Sequence, residues 1–194
     1  MEVRNYNPKD ETGWVRCRSL SFLDTAYFDH VLNKKEKYQN PAIELVAIEQ
    51  GQVVGLLDIE YEREQKTICT KVGGLGGMIW HVATHPDYQR SGIGTILLEK
   101  AESIAKEKGL TYLEAWTRDD DWVNAWYRKN GFVTSYSYLH VFLEGEEVKD
   151  VVKKVDPYFN VGQAFAHYTG NEKEHVKTKF DRVHECFCYE KILR

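Results

Sequence analysis

The sequence lacks most of the features that mark a specialised chain. It has four prolines in 194 residues, and no low-complexity tract or internal repeat interrupts it. Four cysteines, Cys17, Cys69, Cys186 and Cys188, are too few and too scattered for a disulfide framework, which predicts a reducing, cytoplasmic location. No run reaches the roughly 18–20 apolar residues that a membrane span needs, and residues 1–11 carry no apolar signal region. Neither membrane insertion nor secretion is expected. Charge of one sign is scarce as well: 30 acidic residues against 26 basic ones leave −4. That gives little attraction to a polyanion, so no nucleic acid is expected as a partner. What remains is 42% hydrophobic and 29% charged residues, in a length that suits one domain with its own core.

The apolar residues change period along the chain. Residues 2–6 read as a strand ended by the turn at Asn7-Pro8. Residues 10–37 read as one or two helices with Trp14, Cys17, Leu20, Leu23 and Phe28 on the apolar face. Residues 43–48 and 53–59 read as a hairpin turning at Gln50-Gly51-Gln52. The glycine-rich residues 73–77 read as a flexible connection into a strand at 78–84. From Ile93 the positions Ile96, Leu97, Ala101, Ile104 and Ala105 keep helical spacing. Lys106 and Lys108 suit the last turn of that helix, and Gly109 suits its end. A strand at 112–117, a helix at 122–129, a long strand at 132–143 and a final strand at 183–193 follow. Strands alternating with helices beside a hairpin predict an α/β (α+β) sheet protein. In the segment 144–181, Val148, Val151, Val152 and Val155 keep helical spacing up to Asp156-Pro157. The rest has no clear period, and a substrate lid and a packed excursion are equally consistent with it.

The chemistry concentrates where the strand ending at Thr84 runs through a polar turn into the helix that starts near Gly92 and Gly94. Helix N-termini expose unpaired N–H groups with a partial positive charge, and glycine lets an anion approach the backbone closely. A dinucleotide fold would want a third glycine at Leu97 and glycines directly after the strand, and both are missing. Near the C-terminus, His184, Cys186 and Cys188 would share one face of a strand. No second ligand pair lies at zinc spacing, so buried thiols and no metal are expected.

Gln89-Arg90-Ser91-Gly92-Ile93-Gly94, preceded by His85-Pro86-Asp87-Tyr88, resembles the acetyl-CoA motif of the GNAT superfamily of N-acetyltransferases, Gln/Arg-x-x-Gly-x-Gly/Ala. Trp126-Tyr127-Arg128-Lys129-Asn130-Gly131-Phe132 resembles the family's Tyr-x-x-x-Gly-Phe, one strand further on. Together the two motifs span about residues 80–132. The resemblance implies a mixed, mostly antiparallel sheet with splayed central strands flanked by helices. It implies one acetyltransferase domain over 1–194, with an acetyl-CoA core at about 78–132, a variable segment at 144–181 and a C-terminal strand at about 183–193.

By the same resemblance, the pyrophosphate of acetyl-CoA would sit on the backbone of Gln89, Arg90, Ser91, Gly92, Ile93, Gly94 and Thr95. The pantetheine arm would pair with Val82, Ala83 and Thr84 as an added strand does. A primary amine, on a small molecule or a peptide N-terminus, would attack the thioester directly in a ternary complex. Tyr127 would act as general acid toward the leaving thiolate. A non-catalytic acyl-CoA sensor or scaffold is the alternative, and a homodimer rests on analogy alone. The family's usual base positions are held here by Trp80 and Met78, which do not titrate usefully. His81 has the opposite strand parity and is expected to pack in the core, while Glu60 and Glu114 are candidates for a base acting through water. Asp120 stands where the family often has an asparagine that bonds pantetheine, and an ionised carboxylate accepts but cannot donate. A helix cap and an acidic lip for a cationic amine are the other readings of that loop.

Overall fold

The computed structural model describes residues 1–71, 73–153, 156 and 158–193. Eight strands form one sheet in the order β1-β2-β3-β4-β5-β8-β6-β7. They are β1 (Glu2–Asn5), β2 (Ala42–Glu49), β3 (Gln52–Tyr61), β4 (Gly76–Thr84), β5 (Tyr112–Thr117), β6 (Val133–Glu144), β7 (Gln163–Tyr168) and β8 (Arg182–Ile192). All neighbours are antiparallel except β4 and β5. The expected mixed, mostly antiparallel architecture is what forms. No helix among the described residues is long and apolar enough to cross a membrane.

Two helices sandwich the hairpin of β2 and β3. Helix α1 (Glu11–Phe22) buries Trp14 and Cys17 against Val46, Val53, Leu56 and Ala83. Helix α2 (Ile93–Glu107) covers the opposite face, placing Ile93, Leu97 and Leu98 among Leu45, Ala47, Leu57 and Ile79. Each of those aliphatic side chains contributes about 2 kcal/mol when withdrawn fully from water. Helix α3 (Asp121–Lys129) packs on the α2 side, where Tyr127 joins Phe132 and Tyr189. Two short helices, α4 (Glu147–Val151) and α5 (Lys173–Lys179), close the far end.

Three expectations need correction. The helix predicted over 10–37 stops at Phe22, and residues 23–41 form an irregular strap. Beyond Cys17 the proposed apolar face has nothing to bury it, and Leu20, Leu23 and Phe28 are exposed. The glycines 73–77 are not wholly a connection, since Gly76 and Gly77 open β4. A Cβ on Gly76 would come within 2.4 Å of the Tyr112 ring, so the neighbouring strand requires glycine there. The segment 144–181 contains the edge strand β7, which pairs with β6 from Leu139–Tyr168 to Glu144–Gln163. Its residues alternate between exposed and half-buried over only six positions, and Phe165 falls on the exposed face, so no polar–apolar period marks the strand. The helix predicted to run up to Asp156-Pro157 already ends at Val151, and Val155 and Pro157 lie outside the described residues.

Strands β4 and β5 pair only over Gly76–Ile79 and Tyr112–Ala115, although both continue. Beyond Ile79 they splay. A β-bulge at Trp80 accompanies the opening: across β3, Ile59 pairs with Ile79 but Asp58 pairs with His81, leaving Trp80 over.

Candidate active site

A cavity of about 1010 Å³ occupies the splay, bounded by β4, the start of α2, α3 and the strap. Its α2 wall is main chain. Arg90 and Gly92 both take left-handed backbone, at φ 59° and 84°. They turn the loop so that the helix begins with its N–H groups toward the cavity. Among the described residues no acceptor engages the backbone N–H groups of Arg90, Ser91, Gly92, Ile93 or Gly94. Five unpaired donors at the positive end of a 15-residue helix form an anion cradle. No heavy atom within 4 Å would meet a Cβ on Gly92, so glycine is needed there for its backbone angle and not for space. Gln89, Arg90, Gly92, Ile93, Gly94 and Thr95 line the cavity. Ser91 does not, and its hydroxyl donates to the Tyr88 carbonyl.

Val82, Ala83 and Thr84 also line the cavity, on the part of β4 that has left β5. Their β5-side backbone edge has no strand partner, although the Thr84 carbonyl accepts from Ser21 Oγ at 2.8 Å. Tyr127, on α3, lines the same cavity. Its ring stacks on Tyr189 at 5.1 Å and meets Phe132 edge-on at 5.2 Å. Its hydroxyl makes no hydrogen bond within the described residues. Burial, reinforced by the nearby Tyr27 and Tyr189 phenols, pushes its pKa well above the usual tyrosine range, so the phenol keeps its proton at neutral pH.

The two carboxylates considered as bases are elsewhere. Glu60 accepts from Asn40 N at 2.8 Å and from Trp80 Nε1 at 2.9 Å. Glu114, fully buried, accepts from Thr70 N at 2.9 Å and from Trp116 Nε1 at 2.9 Å. Neither lines the cavity. Both are held under the loops that cross the far end of the sheet, where their lone pairs are already used.

Asp120 does line the cavity, but its carboxylate accepts from Ala26 N at 3.0 and 3.2 Å. It occupies the N-cap position of α3 without capping the helix through its side chain, so the cap reading is corrected. Its function as observed is to tie the strap to the β5–α3 loop. Burial raises its pKa above the ordinary aspartate value, and the Ala26 N–H opposes that shift. Asn124, one turn on, spends its amide on the carbonyls of Arg118 and Asp120 and accepts from the Tyr189 hydroxyl.

The strap contributes residues that no motif announced. Tyr27 lines the cavity, and its hydroxyl accepts from Arg118 N at 3.1 Å; burial pushes its pKa up to about 12. Arg18, on α1 and almost fully buried, donates to the His30 carbonyl at 2.8 Å and so fixes the strap's path. Arg182 reaches back from β8 to Asp29 at 2.7 Å, with its guanidinium over Phe142 and Phe28. His81 is packed edge-on against Trp14 at 5.1 Å, as a core residue would be. Yet the bulge at Trp80 reverses the parity of β4. His81 therefore faces the α1 side with Ala83 and lines the cavity, together with Glu36. No local signal in the sequence marks that bulge.

The profile of the Acetyltransferase (GNAT) family matches residues 11–132. The chain belongs to that family. Among curated proteins, none matches it significantly. Solved structures share its fold at low identity. The ribosomal-protein-S18-alanine N-acetyltransferase of Escherichia coli is similar at TM-score 0.57 and 12% identity, over 99% of this chain and 93% of that one. The PaiA N-acetyltransferase of Thermoplasma acidophilum, solved with coenzyme A, is similar at TM-score 0.53 and 18% identity, over 69% and 90%. An aminoglycoside antibiotic 6'-N-acetyltransferase from Acinetobacter haemolyticus is similar at TM-score 0.53 and 22% identity, over 70% and 93%. The GNAT fold thus carries N-acetyltransferases named for very different amine acceptors.

Proposed function

We propose that this GNAT protein moves an acetyl group from acetyl-CoA to a primary amine, by direct attack of the amine in a ternary complex. The observation that carries this reading is that Arg90, Gly92, Ile93 and Gly94, whose N–H groups have no acceptor among the described residues, line the same cavity as Tyr127. The anion cradle suits the diphosphate of the cosubstrate, and Arg90 adds a cation beside it. The edge of Val82, Ala83 and Thr84, which has no strand partner, suits the amides of the pantetheine arm, which would bond there like an added strand. That path directs the thioester toward α3, where Tyr127 donates its proton to the departing sulfur. A phenol kept protonated by burial fits this role, because its proton is in place as charge develops on the sulfur. The acceptor enters from the strap side, through the opening between β4 and β5.

A non-catalytic acyl-CoA sensor draws support from one observation: both Glu60 and Glu114 have their lone pairs engaged away from the cavity. Release of free thiol separates the readings. Incubation with acetyl-CoA and a panel of primary amines is expected to yield coenzyme A and an acetylated amine. Tight acetyl-CoA binding without thiol release across the panel would establish the sensor instead.

A further inference from the structure

An alkylamine with a pKa near 10 reaches the cleft as an ammonium ion and must lose a proton before it attacks. Glu36, in the strap, is a carboxylate that lines the cavity. One of its oxygens lies 2.5 Å from His81 Nε2, and its side chain remains 43% exposed. His81 Nδ1 accepts from Arg18 Nε at 3.3 Å. That bond fixes the imidazole tautomer: with Nδ1 accepting, the ring proton sits on Nε2 and is donated to Glu36. His81 then has no lone pair to offer a substrate, whereas Glu36 keeps its outer oxygen. Among the described residues Arg18 makes no hydrogen bond or ion pair to a carboxylate; its other hydrogen-bond partners are the carbonyl and ring of His30. It holds His81 by the Nε bond, and its charge also favours the Glu36 anion across space.

We propose that Glu36 is the acceptor-side carboxylate that binds the protonated amine and takes its proton, with His81 and Arg18 as positioning residues. This rests on the acetyl-transfer reading above, and it names the acceptor class as a primary amine cationic at neutral pH. One N–H proton passes to Glu36 and on to solvent. The nitrogen lone pair forms the C–N bond while the C–S bond breaks. The sulfur electron pair takes the Tyr127 proton, and the second N–H proton of the amine restores the phenol. The groups that act on Glu36 are Arg18 from α1, His30 and Tyr38 from the strap and His81 from β4; His81 and Tyr38 face the Asp58–Lys35 pair behind them. The His81 hydrogen bond outweighs burial and holds the Glu36 carboxyl below the usual glutamate range. It is thus an anion at neutral pH, where the acceptor is a cation.

The test compares the full chain with Glu36→Gln and Glu36→Asp by thiol release, using spermidine, an alanine-initiated peptide and kanamycin as cationic probes and methoxyamine as an uncharged one. Glu36→Gln is expected to lower kcat/KM for the cationic probes that turn over by about 10²-fold at neutral pH. Methoxyamine loses far less, acetyl-CoA affinity does not change, and Glu36→Asp recovers part of the rate. Equal losses for charged and uncharged probes would overturn the proposal, because they would mark Glu36 as holding only the strap. So would turnover by Glu36→Gln within about threefold of the parent, too little for a lost proton acceptor. Acetyl-CoA binding with no turnover of any probe by the parent sinks the transfer reading itself, and this proposal with it.

Discussion

On the α2 side of the cleft the exposed groups are backbone N–H donors, set by two left-handed residues in a short loop. On the strap side they are side chains, joined by contacts that reach from 12 residues apart, Arg18 to His30, to 153 residues apart, Arg182 to Asp29. A main-chain wall suits a ligand that never changes: it tolerates side-chain variation wherever the dihedral angles survive. A side-chain wall can be re-specified one residue at a time. On the proposed reading the main-chain wall would take the cosubstrate and the side-chain wall the acceptor.

The largest expected effect lies where the two walls meet. Tyr127→Phe removes the proton donor and should cost kcat about 10²-fold or more, with acetyl-CoA affinity unchanged. The hydroxyl makes no hydrogen bond within the described residues, so the fold should be indifferent to its loss. Steady-state thiol release and a melting curve check both halves. Next is the main-chain wall itself. Gly92→Val forces a branched side chain into left-handed backbone at φ 84°, a strain of about 1–2 kcal/mol. Calorimetry should find acetyl-CoA bound about tenfold more weakly, since 1.4 kcal/mol is a factor of ten. Gly94→Ala is the control: its Cβ would meet Trp126 Nε1 at an ordinary 3.5 Å, and the fold should not change.

A smaller effect belongs to the strap. Asp120→Ala leaves the Ala26 N–H without its acceptor and should lower stability by about 1 kcal/mol, read from unfolding curves. Asp120→Asn keeps an acceptor oxygen and removes a desolvated charge. Because burial raises the Asp120 pKa, the penalty on its ionised form applies above that pKa and vanishes as pH falls through it. The Asp120→Asn variant should therefore match or exceed the parent in melting temperature at neutral pH, and the difference should close in acid. The smallest effect is Arg90→Ala. Arg90 is exposed, and its charge is screened at physiological salt, so acetyl-CoA affinity should fall only about twofold, and less at high salt. A large loss there would mean that side-chain charge, not backbone, holds the phosphates.

The same contrast explains what could be read from the sequence. The α2 wall was legible because its geometry needs particular residues at fixed spacing: glycine where φ is positive, then an apolar period that seats a helix on the sheet. Most strands and both central helices were legible for the same reason, since burial on one face imposes a period. The strap was not. Its course depends on Arg18, Arg118, Asp120 and Arg182 meeting backbone or charge far away in sequence, and no local pattern encodes such pairs. His81 packs in the core as expected, but the face it packs on could not be read, because one extra residue at Trp80 flips the parity of β4 and a bulge leaves no periodic trace. Glu60 and Glu114 lay on plausible strands, but their partners Asn40 and Thr70 sit in connecting segments without regular structure.

The central claim is that the main chain at residues 90–94 grips a diphosphate. Amide ¹H–¹⁵N spectra of the full chain, titrated with acetyl-CoA and with S-acetylpantetheine, which lacks that group, test it most directly. Acetyl-CoA should shift the amides of Arg90, Ser91, Gly92, Ile93 and Gly94 and bind about 10²-fold more tightly than the truncated thioester, the worth of a few charge-assisted hydrogen bonds. Equal affinities for the two compounds, or amides at 90–94 that stay still while acetyl-CoA binds, would contradict the account.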